Sequence, residues 1–376
     1  MQNIAPALLE WFYRNQRILP FRTDPSPYHV WLSEIMLQQT RVSAALPYYE
    51  RFLAALPDIP ALATCEEEKL HKLWEGLGYY SRVRNLQKAA RIVCEEYGGE
   101  LPADYDALRA LPGIGDYTAG AIASISFGLT VPAVDGNVLR VFSRLYNDPG
   151  IITEPGVKKA FTARVMEHQP PEKAGDYNQA LMELGALVCL PNGAPLCGQC
   201  PLAALCAARA AGTALELPRK AAPKARRVEP VTVVLAENAE GRFLLQQRPG
   251  KGLLAGLWQP LLWEGEALSA GEVLARLEGL GLGCAGAEAL PEAKHIFSLR
   301  VADEGICRPR RHSLCPGRLR LGQPGTDAGR IHPARRIQCL QKADGALKKQ
   351  NFAFLVVIFA QYGYNSCRID RVCAAE

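Results

Sequence analysis

Across residues 4–187 apolar side chains recur at three- and four-residue intervals, and Pro, Gly and Asp break the pattern into short pieces. That rhythm predicts a mainly α-helical region built of many short helices. The stretch YHVWLSEIMLQQTRVSAALPYYERFLAAL is representative, with helical spacing throughout and no strand-like alternation. Residues 213–229 turn to Pro, Ala and cations without any period, which reads as a linker. In VTVVLAENAEGRFLLQQRP a β-branched run, a turn at residues 238–241 and a second apolar run predict a hairpin. It opens an α+β domain over residues 230–299. Beyond Leu299 the chain is rich in Arg, Pro, Gly and Cys and keeps neither period, apart from an isolated apolar run at residues 352–360. Residues 300–376 are therefore expected to be an atypical basic tail that encodes no packed fold.

Composition narrows the class. With 376 residues, 48% hydrophobic and 22% charged, the chain is ordinary globular protein with room for two or three cores. No apolar run approaches the roughly 20 residues that cross a bilayer. The N-terminal MQNIAPALLEWFYRNQR carries Glu10 inside its apolar stretch and no small-residue cleavage site, so it reads as an amphipathic helix rather than a signal peptide. A cytoplasmic location is expected, of the bacterial, nucleoid-associated kind, where cysteines stay reduced unless they hold a metal. The net charge of +5 does not by itself argue for nucleic acid. Residues 300–376 carry 14 Lys and Arg against 6 Asp and Glu, so the first 299 residues are net acidic.

Four cysteines, Cys189, Cys197, Cys200 and Cys206, fall in CLPNGAPLCGQCPLAALC with the spacing C-x7-C-x2-C-x5-C. Four soft ligands on one short loop suit a 4Fe–4S cluster or a single zinc ion. The compact single loop leans toward the cluster, since zinc sites more often show two separated C-x2-C knuckles. A disulfide pair is disfavoured in a reducing compartment, and four small core residues remain the bland alternative.

In LRALPGIGDYTAGAIASISFG two helical segments flank a turn where Gly113 and Gly115 can present backbone amides. Such a hairpin grips a phosphate without basic side chains, although a turn with no ligand has the same look. In VPAVDGNVLRVFSRL, Asp135 precedes a helix and is at the least an N-cap. Glu34 stands among Trp31, Leu32, Ile35, Met36 and Leu37. It is either the polar face of its helix or, if buried, a carboxyl with a raised pKa suited to general-acid work.

Taken in order, SEIMLQQTRV, GLGYYSRVRNL, LPGIGDYTAGAI, AVDGNVLRV, YNQALMELGALVC and the cysteine loop resemble the adenine DNA glycosylases (MutY) of the endonuclease III, helix–hairpin–helix superfamily. The resemblance covers about residues 5–299. It implies a helical glycosylase domain over residues 1–212, with two subdomains, an iron–sulfur loop and DNA in the cleft between them. It further implies a Nudix-like α+β domain over residues 230–299, incomplete here and without the acidic box of Nudix hydrolases. The implied partner is double-stranded DNA with an A·8-oxoguanine or A·G mismatch, and the implied protein is a monomer that binds no membrane.

By the same resemblance Glu34 is the general acid at adenine N7 and Asp135 the carboxylate that stabilises or bonds the cationic sugar. Tyr117 stands where bifunctional relatives carry a lysine, so strand cleavage through a Schiff base is not expected. Arg22 and Gln179 match residues near the adenine pocket, Gln39 a residue inserted beside the mismatch, and Tyr79 the aromatic wedge at 8-oxoguanine. The four cysteines match the 4Fe–4S ligands, with a first gap one residue longer than the family's. Phe297 and Ser298 begin the family's Phe-Ser-His loop, which here meets Leu299 in place of His. Translation in a shifted frame from about that point is the hypothesis that would explain the sudden loss of pattern and the surplus of Arg and Cys. Two rival readings stand beside this one: an endonuclease III-like glycosylase-lyase on oxidised pyrimidines, and a non-catalytic iron–sulfur protein that binds DNA.

Overall fold

The computed structural model describes residues 2–222, 227–236, 244–250, 252, 254–284, 286–296, 300–308 and 337–339. They divide into two compact units that adjoin in sequence near residue 223. The first is helical: α1 (Ala5–Asn15), α2 (Pro20–Thr23), α3 (Pro27–Leu37), α4 (Val42–Ala55), α5 (Ile59–Thr64), α6 (Glu67–Trp74), α7 (Ser81–Tyr97), α8 (Tyr105–Ala110), α9 (Asp116–Phe127), α10 (Gly136–Leu145), α11 (Pro155–His168), α12 (Ala174–Leu187) and α13 (Ala207–Ala211). No helix among the described residues is long and apolar enough to cross a membrane.

The helices are short because the sequence caps them often. Asp58 and Asp104 each accept a hydrogen bond from the backbone amide three residues on, at 2.7 and 2.8 Å, and so start α5 and α8. Pro27 and Pro155 occupy first-turn positions where no amide hydrogen is needed. Both α7 and α9 stop at glycines in the left-handed region, Gly98 and Gly128. In one part of the unit Trp31, Phe52, Leu62, Trp74 and Val83 are buried, with the Phe52 and Trp74 rings edge to face at 5.9 Å. In the other, α1 returns to pack with α10, α11 and α12 around Leu8, Phe12, Phe142, Phe161, Tyr177 and Leu181. Helix α9 touches both α3 and α12 and joins the two parts.

The first unit runs further than the expected linker boundary. Leu217 is buried, its carbonyl accepts from Arg144 Nε at 2.9 Å, and the Arg219 carbonyl accepts from the Ile152 amide at 3.1 Å. Partners some 70 residues away hold this segment, and its own composition carries no sign of them.

The second unit is a mixed sheet of β1 (Arg227–Val234), β2 (Leu244–Gln247), β3 (Trp258–Glu264), β4 (Glu288–Ile296), β5 (Arg300–Arg308) and β6 (Ile337–Cys339), in the order β4-β5-β1-β3-β2-β6. The β1–β5 pair is parallel and the other neighbours are antiparallel. Helix α14 (Ala270–Gly279) starts with a Ser269–Glu272 capping box and buries Val273 and Leu277 against Val234 and Leu261.

Two expectations change here. The hairpin of residues 231–235 with 244–247 does not form, because β3 inserts between β1 and β2 and pairs with both. Two apolar runs near each other in sequence suggest pairing, yet the WQPLL run further along the chain pairs with both and separates them. The second change is that β5, like β6, lies inside the expected tail. Its backbone pairs β1 and β4 through main-chain bonds that need no alternating side-chain pattern. Phe297, Ser298 and Leu299, and residues 309–336 and 340–376, lie outside the described residues.

Candidate active site

Glu34 is carried on α3 among apolar neighbours and is only 9% exposed. The Tyr117 hydroxyl, from the first turn of α9, donates to Glu34 Oε2 at 2.6 Å, and Met182 Sδ of α12 lies 3.1 Å from the same hydroxyl. Burial pushes the Glu34 carboxyl up most strongly; the Tyr117 bond opposes it, the Asp135 charge adds to it and the Arg22 charge opposes it. The balance is a pKa raised from 4.5 to about 7, which leaves a proton available near neutrality. Burial and the two nearby carboxyls drive the Tyr117 phenol far above its usual range, so it stays a neutral donor.

Asp135 is the N-cap of α10 and accepts from the Val138 amide at 2.8 Å and from Asn137 Nδ2 at 2.6 Å. Burial raises its pKa, while the Val138 and Asn137 bonds and the Arg140 guanidinium favour the carboxylate. The two acids therefore differ in kind. Glu34 sees mostly hydrocarbon and a phenol, whereas Asp135 sees amide hydrogens and the positive end of a helix.

Local packing fixes this arrangement. Asn178 of α12 is fully buried; its Oδ1 accepts from the Ala133 amide at 3.2 Å and its Nδ2 donates to the Val131 carbonyl at 2.9 Å, pinning the loop that leads to Asp135. Gly185 lets α12 approach closely, since a Cβ there would sit 2.6 Å from Asn137 Cβ. Arg140 donates to the Cys189 carbonyl at 2.8 Å, to Asn137 Oδ1 at 2.8 Å and to the Gly185 carbonyl at 2.9 Å. One guanidinium thus ties the start of the cysteine loop to the residue that holds Asp135.

Arg22 is placed beside this centre. Its Nη2 donates to Glu183 Oε2 at 2.8 Å, and Arg17 holds the same carboxylate through Nε at 2.8 Å and Nη2 at 2.7 Å. Burial would raise the Glu183 pKa, but the two arginines outweigh it and hold it at about 2. Gln179 is partly buried, one helical turn before Met182 and Glu183 on the same side of α12. Glu183, Arg17, Asn178 and Arg140 escaped the sequence reading. A lone acid in the apolar run of YNQALMELGALVC was a usable signal for Glu183, of the kind that flagged Glu34.

The hairpin glycines lie between α8 and α9, and both are exposed. Gly113 has φ +83, and a Cβ there would also meet Asn85 Cβ at 2.8 Å. Gly115 is the extended N-cap of α9, with open space around it. Gln39 and Tyr79 are exposed rather than in the acid pocket, and both have left-handed backbone, with φ of +58 and +47.

Cys189, Cys197, Cys200 and Cys206 line one cavity together with Arg144, Val188, Pro195, Ala203, Arg209 and Ala214. Burial pushes the Cys200 thiol up to about 11; the Leu202 amide opposes this and the three neighbouring sulfurs add to it. Arg144 Nη1 lies 3.3 Å from Cys189 Sγ, a cation placed to offset thiolate charge. Among the described residues no three His, Cys, Asp or Glu side chains are gathered as a single metal ion requires. Four sulfurs lining one cavity are a donor set of the soft kind that metal centres use.

Comparison with known proteins places this geometry. Residues 32–166 match the HhH-GPD superfamily of base excision DNA repair proteins. The chain is 38% identical over 313 residues to the adenine DNA glycosylase of Homo sapiens, covering 69% of this chain and 57% of that protein. It is 30% identical over 317 residues to the adenine DNA glycosylase of Schizosaccharomyces pombe, covering 69% and 68% respectively. Among solved structures, a thermostable thymine-DNA glycosylase superposes with a TM-score of 0.50 at 26% identity, covering 55% of this chain and 94% of that one. The chain spans less than two thirds of the human relative's length. On these matches it belongs to the adenine DNA glycosylase family, within the HhH-GPD superfamily of base excision DNA repair proteins.

Proposed function

We propose that this protein is a monofunctional DNA glycosylase that removes adenine mispaired with 8-oxoguanine or guanine. The observation that carries the reading is a buried Glu34 carboxyl with a pKa near 7, hydrogen-bonded by Tyr117 and within the field of Asp135. An adenine extruded from the duplex presents N7 to Glu34, which donates its proton there. The purine becomes a better leaving group, and the electron pair of the glycosidic bond goes to N9. Asp135 steadies the oxocarbenium-like sugar or bonds C1′, until water activated by the Glu34 carboxylate completes hydrolysis. Tyr117 orients Glu34 and offers no amine for a Schiff base, so the backbone strand stays intact. Arg22 and Gln179 border the adenine pocket, and the amides around Gly113 and Gly115 hold a DNA phosphate.

Cys189, Cys197, Cys200 and Cys206 would hold a 4Fe–4S cluster, which when bound would cross-link the loop beside α10. The second unit, with its mixed sheet and α14, is read as a Nudix-like domain for the 8-oxoguanine strand. By the family resemblance Phe297 and Ser298 belong to the motif that reads that base, with Leu299 where the family has His. The test is adenine release from a duplex with a single A·8-oxoguanine pair, with borohydride trapping alongside. Free adenine without a trapped adduct is expected. No adenine release, or an adduct with a duplex carrying an oxidised pyrimidine, overturns the reading.

A further inference from the structure

Gln39 and Tyr79 are exposed side chains on left-handed backbone, a conformation that persists in non-glycine residues only where the surroundings impose it. One side chain reaches both turns. Arg82, the second residue of α7, is 9% exposed and sends its guanidinium beneath them. Its Nη1 donates to the carbonyls of Ile35, Met36 and Gln38, at 2.9, 2.9 and 2.7 Å. Its Nη2 donates to the carbonyls of Leu77 and Gly78, at 2.9 and 3.1 Å. The first three end α3 just before Gln39; the other two precede Tyr79. The guanidinium also lies 5.3 Å from the Trp74 ring centre and 5.6 Å from that of Tyr79. A planar fork can reach two sets of carbonyls at once, which an ammonium cannot.

We propose that Arg82 is a positioning residue that fastens the Gln39 and Tyr79 turns into one rigid two-pronged probe of the mismatched pair. The claim rests on the proposed function together with the family resemblance, by which Gln39 is inserted beside the mismatch and Tyr79 is the wedge at 8-oxoguanine. The two prongs come from segments about 40 residues apart in sequence, and the guanidinium bonds to the backbone leading into each. A shared cation therefore sets their separation. Lesion recognition then depends on both prongs acting together.

The test is a double-mutant cycle on the full chain, read as the ratio of affinities for an A·8-oxoguanine duplex and a matched A·T duplex at fixed salt. In the wild type, Gln39→Ala and Tyr79→Ala each lower this ratio, and the double variant falls little further than the worse single one. Arg82→Lys lowers it by about tenfold alone, and by less than twofold in the chain already lacking both prongs. An additive Gln39/Tyr79 cycle overturns the proposal, and this arm needs no Arg82 variant to fold. So does an equal loss from Arg82→Lys with and without the prongs, which marks a merely structural role. A wild type with no preference for the mismatch overturns the proposed function as well, and is distinct from both.

Discussion

Glu34→Gln separates chemistry from folding in a way the structure lets us quantify. Glutamine has nearly the shape of glutamic acid and can still accept from the Tyr117 hydroxyl, so packing on α3 is kept. It has no proton to give at neutral pH, and loss of a general acid costs about 10²- to 10⁴-fold in rate. Stability should move the other way. The Glu34 pKa is raised in the fold from 4.5 to about 7. Ionising it is therefore harder folded than unfolded, and the wild type loses stability as pH climbs from about 4.5 to about 7. At roughly 1.4 kcal/mol per pH unit this loss totals about 3 kcal/mol. Glutamine does not titrate and escapes it. Urea unfolding at pH 5 and pH 8.5, run for both proteins, should show the wild type losing about 2–3 kcal/mol more than the variant over that interval. Single-turnover adenine release measures the other half. If the two proteins share one pH dependence of stability, Glu34 is not the isolated buried acid described here. If the variant keeps activity within tenfold, it is not the proton donor.

Asp135→Asn should lower adenine release by about 100- to 1,000-fold with the fold retained, because Asn is as good an N-cap as Asp; circular dichroism and the excision assay check both. The pH–rate profile of the wild type should fall on its alkaline side near pH 7, as Glu34 loses its proton, and on its acid side above the usual aspartate range, as Asp135 gains one. Gly185→Ala forces a Cβ against Asn137 and should cost about 1–3 kcal/mol by thermal unfolding, with activity reduced through the displaced Asp135 partner. Cys197→Ser should remove the broad visible absorption of an iron–sulfur centre and the iron bound per chain; purified wild type containing zinc and no iron would refute the cluster. Sequencing independent clones across codon 299 should reveal a frame change there, and an intact frame in every clone would sink that account of the tail.

Much of the site was readable from order and spacing. Glu34 among apolar neighbours, Asp135 ahead of a helix and the LPGIG turn are local signals, and local geometry produces them. What could not be read is what distant segments contribute. Asn178 donates to the carbonyl of residue 131 and accepts from the amide of residue 133, Arg140 donates to the carbonyl of residue 189, and Arg82 to carbonyls at the end of α3; such backbone groups carry no residue identity. A donor aimed at a carbonyl therefore leaves no complementary residue to find. The expected hairpin failed for a related reason, since β3, further along the chain, pairs through backbone bonds with both β1 and β2.

In the proposed reaction Asp135 would do two jobs with one side chain, closing the first turn of α10 and steadying the sugar. Most replacements would cost the chain its helix start as well as its chemistry, and such proteins would be cleared as damaged goods. Asparagine is an exception, capping as well as the acid whose shape it shares. If the proposed function holds, a chain carrying that amide in place of the acid would keep its shape and its grip on the mismatch while releasing adenine far more slowly. Such an occupant would cover the mismatched pair for as long as it stayed bound.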